Sequence, residues 1–250
     1  MSSLLLTHLR IPKDIEWEIH CSQHAVRDSM PRIMENLPHS TVVTIMQIVL
    51  RQHSLAFQFQ KDRQGNSHLN SFQVKWTESV PIPEIFGWIL LLFNPKSQVK
   101  IEDFTFEIWP TRGSIDQTLW SILLSNLPFL RVMAIRSMSC STSGLASVKG
   151  FIGTVSRSTT ECYPLFDMST LELNGLCPCS GTDFIRKTKK FLQMRQDQGL
   201  RMQKLTIVQF PHVDEPKSLC VDELREFVDM LVLPEPILHA KAAGSEDGHG

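Results

Sequence analysis

The sequence lacks the features on which membrane and secreted proteins depend. Its longest apolar run, residues 85–93, covers nine positions and includes Gly87, whereas a membrane-spanning helix needs about 20 apolar residues. The hydrophobic patch at residues 4–6 is too short for a signal peptide. Only 6 cysteines occur, and they are scattered rather than spaced as a disulfide framework. We therefore expect a reduced intracellular protein, cytoplasmic or nuclear, without membrane association.

An excess of basic residues is also missing. The chain has 25 Lys and Arg residues against 26 Asp and Glu residues, which gives a formal net charge of −1. Binding to nucleic acid or to anionic lipid generally relies on an overall positive surface. We expect no nucleic-acid partner.

Complete catalytic and cofactor-binding motifs are lacking as well. The serine-rich residues 137–144 have no glycine pattern of a P-loop or a dinucleotide-binding turn. No G-x-S-x-G nucleophile elbow occurs anywhere in the sequence. We predict a non-catalytic protein with no cofactor.

One spacing that is typical of an enzyme does occur, as His20-Cys21 followed by five residues and Arg27. Cysteine phosphatases use this spacing to hold a phosphate on loop amides and an arginine while the cysteine thiolate attacks it. Here no glycine lies between Cys21 and Arg27, and His24 stands where those loops usually carry one. Backbone N–H groups converge poorly on an anion without residues that adopt positive φ. A phosphatase-like enzyme using Cys21 and Arg27 is therefore an alternative hypothesis.

Two further groups have the composition of a binding site. Cys177 and Cys179 form a single C-x-C pair, whereas structural zinc sites prefer two pairs with wider spacing, so we predict no metal site. The basic cluster consists of Arg186, Lys187, Lys189 and Lys190. A solvated helix face accounts for this cluster without any anionic ligand.

What the sequence does contain is a recurring pattern, apolar-x-x-apolar-x-apolar. Its four copies are Ile101/Phe104/Phe106, Leu130/Met133/Ile135, Met168/Leu171/Leu173 and Met202/Leu205/Ile207. The last two apolar residues of each copy lie two apart, as on one face of a β-strand. The intervals between copies leave room for helical crossovers, which place successive strands parallel. The pattern predicts an α/β fold, an irregular leucine-rich-repeat-like solenoid of parallel strands with helical crossovers.

The chain divides into three predicted parts. Residues 1–98 form an N-terminal region of irregular repeats, in which the alternating residues 55–59 and 72–76 predict a β-hairpin. Residues 99–233 form the leucine-rich-repeat-like region. Residues 234–250 are poor in apolar side chains, and we expect them to be a disordered tail.

Local signals predict further elements. Residues 15–19 alternate as a strand does, residues 25–36 favour a helix with Pro31 in its first turn, and residues 85–93 favour a buried helix. Residues 41–50 fit either a strand or a helix. The predicted helix N-termini are a capping box of Ser114 with Gln117, and the N-caps Thr182 and Ser218. Ser218 precedes an apolar helical stripe over residues 221–231.

Several segments together resemble a known family. The resemblance lies in LLLTHLRIP, IEWEIHC, the paired strands LAFQFQ and FQVKW, LWSILLSNLPFLRVMAI and MSTLELNGL. Over roughly residues 4–232 these are similar to the C-terminal repeat region of basidiomycete-type F-box/leucine-rich-repeat-like proteins. In that family an N-terminal F-box docks to a ubiquitin-ligase adaptor, and the repeats are taken to hold a target. The family supplies no catalytic residues.

The first residues contain no segment that resembles an F-box. The resemblance therefore implies the target-recognition part without the adaptor contact, and we expect a protein partner rather than a ligase adaptor. A non-functional truncated paralogue, which folds but binds nothing specific, is the remaining alternative.

The recognition surface is expected on the strand positions that alternate with the buried ones. The candidate partner-binding residues are Thr105, Glu107, Arg136, Glu172, Asn174, Thr206 and Val208. This set is mostly small or polar, with Val208 as the one larger apolar member. Such a mixture suits a protein contact.

Overall fold

The computed structural model describes residues 16–21, 23–36, 43–60, 70–77, 79–93, 100–138, 142–157, 165, 167–176, 181–209 and 221–233. The strands are β1 Glu16–Cys21, β2 Ile45–Arg51, β3 Ser54–Gln60, β4 Asn70–Trp76, β5 Asp103–Ile108, β6 Val132–Ser137, β7 Thr170–Leu176, β8 Met202–Gln209 and β9 Val228–Val232. The helices are α1 Gln23–Asn36, α2 Ile82–Leu91, α3 Gln117–Ser125, α4 Thr142–Val155 and α5 Gly181–Asp197, with a 3-10 helix at Val221–Phe227.

All of these strands belong to one open, mixed sheet of nine strands in the order β1-β4-β3-β2-β5-β6-β7-β8-β9. The pairs β2/β3 and β3/β4 are antiparallel, and every other neighbouring pair is parallel. The predicted α/β class is confirmed. Because β2 pairs with β5, the two predicted regions on either side of residue 98 share one sheet and one hydrophobic core.

The four apolar patterns place their strands in register. Phe104, Met133, Leu171 and Leu205 are aligned across β5 to β8, and Phe106, Ile135, Leu173 and Ile207 form the next aligned row. All eight side chains are at most 1% exposed. The predicted parallel pairing of these strands is confirmed. Because side chains alternate along each strand, one set of apolar side chains from all four strands lies on the same face.

The same hydrogen-bond arrangement recurs where each of these strands begins. The carbonyl of Thr44 accepts from two successive N–H groups, those of Glu102 and Asp103, at 2.9 and 3.0 Å. Carbonyls of Glu102, Arg131 and Ser169 each accept in the same way from the strand that comes next in the sheet, at distances of 2.8 to 3.1 Å. The strand entries of β5, β6, β7 and β8 are therefore equivalent in their backbone bonding.

The helices cover the apolar face of the sheet, and Trp120 of α3 lies at the centre of this layer. Its ring centroid is 5.5 Å from that of Phe106 and 5.4 Å from that of Phe151. Its indole N–H donates to the carbonyl of Ser147 at 2.8 Å. Burial of these aromatic side chains supplies much of the hydrophobic stabilisation that holds the helices to the sheet.

Helix starts differ from the sequence predictions in three places. Asp116, not Ser114, caps α3, and its carboxylate accepts from the N–H of Leu119 at 2.9 Å. Helix α5 already begins at Gly181, so Thr182 lies inside its first turn. Pro31 lies in the interior of α1, not in its first turn, because this helix begins at Gln23. Offsets of one or two residues, such as those at Ser114 and Thr182, are common at helix ends.

The N-terminal region contains the predicted β1 strand and the β3/β4 hairpin. The ambiguous residues 41–50 contribute strand β2, which pairs on both of its edges. The helix predicted over 85–93 begins earlier, at Ile82, because Pro81 at its N-cap and Pro83 in its first turn suit a helix start.

The prediction of a helix over residues 221–231 is wrong in its second half. Val221, Leu224 and Phe227 are buried with the three-residue period of a 3-10 helix. The chain then continues as β9, which pairs with β8 and completes the sheet. Ser218, residues 1–15 and the predicted tail at 234–250 lie outside the described residues. In the ranges that the structure describes, none of the helices has both the length and the apolar character needed to cross a membrane.

Gly175 in β7 occupies a position that other residues tolerate poorly. Its φ is +87°, and a Cβ there would lie 2.3 Å from the carbonyl oxygen of Ser137. The register of β7 against β8 also shifts between Asn174 and Leu176. We expect Gly175→Ala to lower the free energy of unfolding by about 2–5 kcal/mol, from backbone strain and from overpacking.

Urea denaturation measures this loss, and Gly199→Ala is the matched control. Gly199 also has positive φ, at +74°, but an added Cβ meets nothing within 4 Å. The control should therefore cost only the backbone strain, about 1 kcal/mol. Equal losses of unfolding free energy for Gly175→Ala and Gly199→Ala would contradict the close approach of Gly175 to the Ser137 carbonyl.

Candidate functional site

The side of the sheet opposite the helices is the main candidate site. We call the open face the part of this side formed by β5 to β8, carrying Thr105, Glu107, Ala134, Arg136, Glu172, Asn174, Thr206 and Val208. Within it, Thr105, Ala134, Glu172 and Thr206 form one row across the strands, and Glu107, Arg136, Asn174 and Val208 form the adjacent row. The structure thus brings together all seven candidate residues that the sequence suggested. Each of the seven is partly exposed.

An ion pair spans the two rows of the open face. Arg136 Nε donates to Glu172 Oε1 at 2.8 Å, and Arg136 Nη2 donates to Glu172 Oε2 at 3.3 Å. These hydrogen bonds, with smaller contributions from the charges of Glu107 and Asp103, raise the pKa of Arg136. A two-point contact of this kind fixes the direction of both side chains as well as their distance.

Other side chains of the open face have unused hydrogen-bonding capacity. Thr105, Asn174 and Thr206 have no side-chain hydrogen bond within the part of the chain that the structure describes. Threonine can donate and accept, and the asparagine amide can do both at once. The open face therefore combines one ordered ion pair with several groups that remain available to a partner.

A chain of polar contacts extends this site toward β2. Glu107 accepts hydrogen bonds from Gln47 at 3.3 Å and from the indole of Trp109 at 2.6 Å. The Arg51 guanidinium carbon lies 4.8 Å from the centroid of the Trp109 ring. Gln47, Arg51 and Trp109 were not predicted as site residues. Gln47 was missed because residues 41–50 fit a strand and a helix equally well in sequence. Pairing with β5 decides between the two and places Gln47 beside the open face.

The phosphatase-like spacing falls on the end of β1 and the first turns of α1. Cys21 ends the strand, and helix α1 begins at Gln23, so the backbone before Arg27 is helical rather than looped. Arg27 Nε lies 2.9 Å from Glu84 Oε1. In a phosphatase-like site Arg27 would have to bind phosphate, but here it is paired with a carboxylate.

The basic cluster of α5 is matched by carboxylates of the same chain. Asp183 pairs with Arg186 and with Lys187, the latter at 2.7 Å, and hydrogen bonds from Lys187 and then Arg186 lower the pKa of Asp183. Lys189 lies 3.5 Å from Glu223 and 3.4 Å from Glu226 in the 3-10 helix. These contacts pair three of the four basic residues with carboxylates, and Lys190 is exposed without a carboxylate partner in the described ranges.

Metal ligands do not assemble in the described ranges, where no group of three or more His, Cys, Asp or Glu side chains is placed to hold an ion. The C-x-C pair Cys177 and Cys179 lies outside these ranges. On β1, the carboxylate of Glu18 contacts both His20 and Lys75, and the hydrogen bond from Lys75 is the larger cause of its lowered pKa.

Comparison of the chain with protein-family models, curated proteins and solved structures finds no match.

Proposed function

We propose that this chain is a non-catalytic recognition module that binds a protein partner on the open face. The observation that carries the proposal is the pair of adjacent, in-register rows of mostly polar side chains, all of which are partly exposed except the buried Ala134. Strands in a sheet are about 4.8 Å apart, so each row extends over about 14 Å. That length suits an extended segment or a loop of a partner protein.

We further propose that the fold is an irregular leucine-rich-repeat-like array. The recurring carbonyl bonding at the starts of β5, β6, β7 and β8 supports equivalent units, and the crossovers through α3, α4 and α5 support strand–helix repeats. In repeat proteins of this kind the exposed strand face is a common binding surface. The resemblance to F-box-type target-recognition regions leads to the same surface.

The chemistry of the open face favours recognition by hydrogen bonds rather than by bulk charge. Glu107, Arg136 and Glu172 contribute both signs of charge, and Thr105 and Asn174 contribute neutral polar groups. Preorganised polar groups of this kind give specificity and register to an interface. The partner should therefore present complementary amide, hydroxyl or charged groups at matching spacing.

The test exchanges the charges of the central pair. The double variant Arg136→Glu/Glu172→Arg can rebuild an ion pair in the opposite direction, but its new carboxylate at position 136 is directly opposite Glu107. Its free energy of unfolding should therefore fall by about 1 kcal/mol at most. The positions of the positive and the negative charge that a partner contacts are nevertheless exchanged. Binding to a partner identified by affinity purification and mass spectrometry should weaken by at least about tenfold, which is about 1.4 kcal/mol.

A matched control is the pair Arg201–Asp229, whose Nε–Oδ1 distance is 2.7 Å and which lies outside the two rows. Its exchange, Arg201→Asp/Asp229→Arg, should leave partner binding unchanged. If every recovered partner binds the Arg136/Glu172 exchange as well as it binds the wild type, the open face is not the recognition surface.

A further inference from the structure

A cavity of about 290 Å³ lies beside the carboxyl ends of β2 and β5. Three separate segments line it: Arg51 and Gln52 at the end of β2, residues 79–83 with Ile85 around the start of α2, and residues 111–114 after β5. In parallel sheets the carboxyl ends of the strands are the usual place for small ligands. The cavity lies off the open face, and it meets the polar contacts that extend from this face at Arg51.

Among the residues that the structure describes, both charged residues in the lining of this cavity are arginines. Arg51 and Arg112 line it, and none of the described residues that line it is an aspartate or a glutamate. Most of the other arginines that the structure describes have a carboxylate partner, for example Arg27 with Glu84. Arg51 and Arg112 have no carboxylate partner within the described ranges. Two arginines without a described carboxylate partner in the lining of one cavity favour an anion.

One of the two arginines is already held in place. The guanidinium carbon of Arg51 lies 4.8 Å from the centroid of the Trp109 ring, and the indole in turn donates to Glu107 at 2.6 Å. Stacking on an aromatic ring restricts the guanidinium while leaving its N–H donors available. A donor that is fixed before binding loses less conformational entropy when the ligand arrives.

Hydroxyl groups and apolar side chains complete the lining. Ser79 and Ser114 have no side-chain hydrogen-bond partner in the part of the chain that the structure describes. Val80, Ile82 and Ile85 are buried and provide an aliphatic wall. The cavity can therefore hydrogen-bond the charged group of a ligand and make apolar contacts with its hydrocarbon part.

We propose that this cavity binds a small organic anion. Its phosphate or carboxylate group is held by Arg51 and Arg112 with hydrogen bonds from Ser79 and Ser114, and its carbon body lies against Val80, Ile82 and Ile85. The volume is at the lower end of the range of about 300–1,000 Å³ that ligand pockets span. The ligand is accordingly one anionic group on a single ring or a short chain.

Titration calorimetry at low ionic strength with three probes tests the proposal. Phenyl phosphate and benzoate carry the two anionic groups, and benzyl alcohol is an uncharged analogue of similar size. We expect saturable binding of at least one anion and none of benzyl alcohol, and the tighter anion identifies the preferred group. Absence of saturable binding of both anions, or equal binding of benzyl alcohol, would overturn the proposal.

Variants locate the site. Arg51→Gln and Arg112→Gln remove exposed side chains and should leave the thermal unfolding midpoint unchanged, while each weakens anion binding by at least about tenfold, as expected for lost hydrogen bonds to a charged group. Arg157→Gln is the control, because Arg157 is exposed, lies outside the cavity and has no carboxylate partner in the described ranges. Equal weakening in all three variants would show general attraction of anions to the surface and overturn the site.

Discussion

Replacing Trp120 by alanine is expected to lower the free energy of unfolding by about 3–5 kcal/mol, the usual cost of removing a buried aromatic side chain. Trp120 is fully buried and its ring contacts Phe86, Phe106 and Phe151. The substitution leaves a cavity between sheet and helices, and it removes the donor to the carbonyl of Ser147. Equilibrium denaturation in urea, monitored by circular dichroism, measures the change.

Two variants separate this loss from a general sensitivity of α3. Ile122 lies on the same helix but is 40% exposed, so Ile122→Ala should cost less than about 1 kcal/mol. Trp120→Phe keeps much of the aromatic volume and loses the N–H donor, so it should fall between the wild type and Trp120→Ala. A loss for Trp120→Ala no larger than that for Ile122→Ala would contradict the described packing.

The strands β5 to β8 were predictable because their apolar residues alternate and recur with the same pattern. Alternation also placed Glu107, Arg136 and Asn174 on the opposite side, so the position of the open face was a direct consequence of the buried one. The ion pair between Arg136 and Glu172 was not predictable. It depends on the register between β6 and β7, which fixes which side chains are neighbours.

The cavity could not be found from the sequence for a related reason. Arg51, Ile82 and Arg112 come from three distant segments, and the pairing of β2 with β5 brings the first and the last of these segments together. Strand β9 was missed because the buried residues before it recur every three positions, which a helical stripe also approximates. The strand is stabilised by pairing with β8, a partner distant enough in sequence that local patterns do not reveal it.

Helix α5 contains a buried arginine whose removal should lower stability strongly. Arg195 is 4% exposed, and its guanidinium donates to the carbonyls of Leu165 and Met168 at 2.6 and 2.5 Å. No carboxylate contacts it in the ranges that the structure describes, and its Nε is without a hydrogen-bond partner there. Burial lowers the pKa of Arg195 to about 10. The sequence did carry a signal, because Phe184, Phe191 and Arg195 fall on one face of the helix.

Arg195→Ala is expected to lower the free energy of unfolding by about 2–5 kcal/mol, since two buried carbonyls lose their donors and the long side chain leaves a cavity. Part of this loss is offset, because the variant no longer buries a charge without a counter-ion. Urea denaturation measures the net effect. Arg195→Lys should be intermediate, because a single ammonium group cannot match the fork that reaches both carbonyls.

Arg186→Ala is the matched control on the same helix, because Arg186 is exposed and its one ion-pair partner among the described residues is Asp183. It should change stability by less than about 0.5 kcal/mol.

The two carbonyls held by Arg195 belong to residues that precede β7, the strand carrying Glu172 and Asn174. Without the two hydrogen bonds from Arg195, the start of β7 is held less firmly, and Glu172 and Asn174 are positioned less well. Arg195→Ala should therefore also weaken partner binding on the open face. If Arg195→Ala is as stable as Arg186→Ala, the guanidinium does not hold the entry to β7.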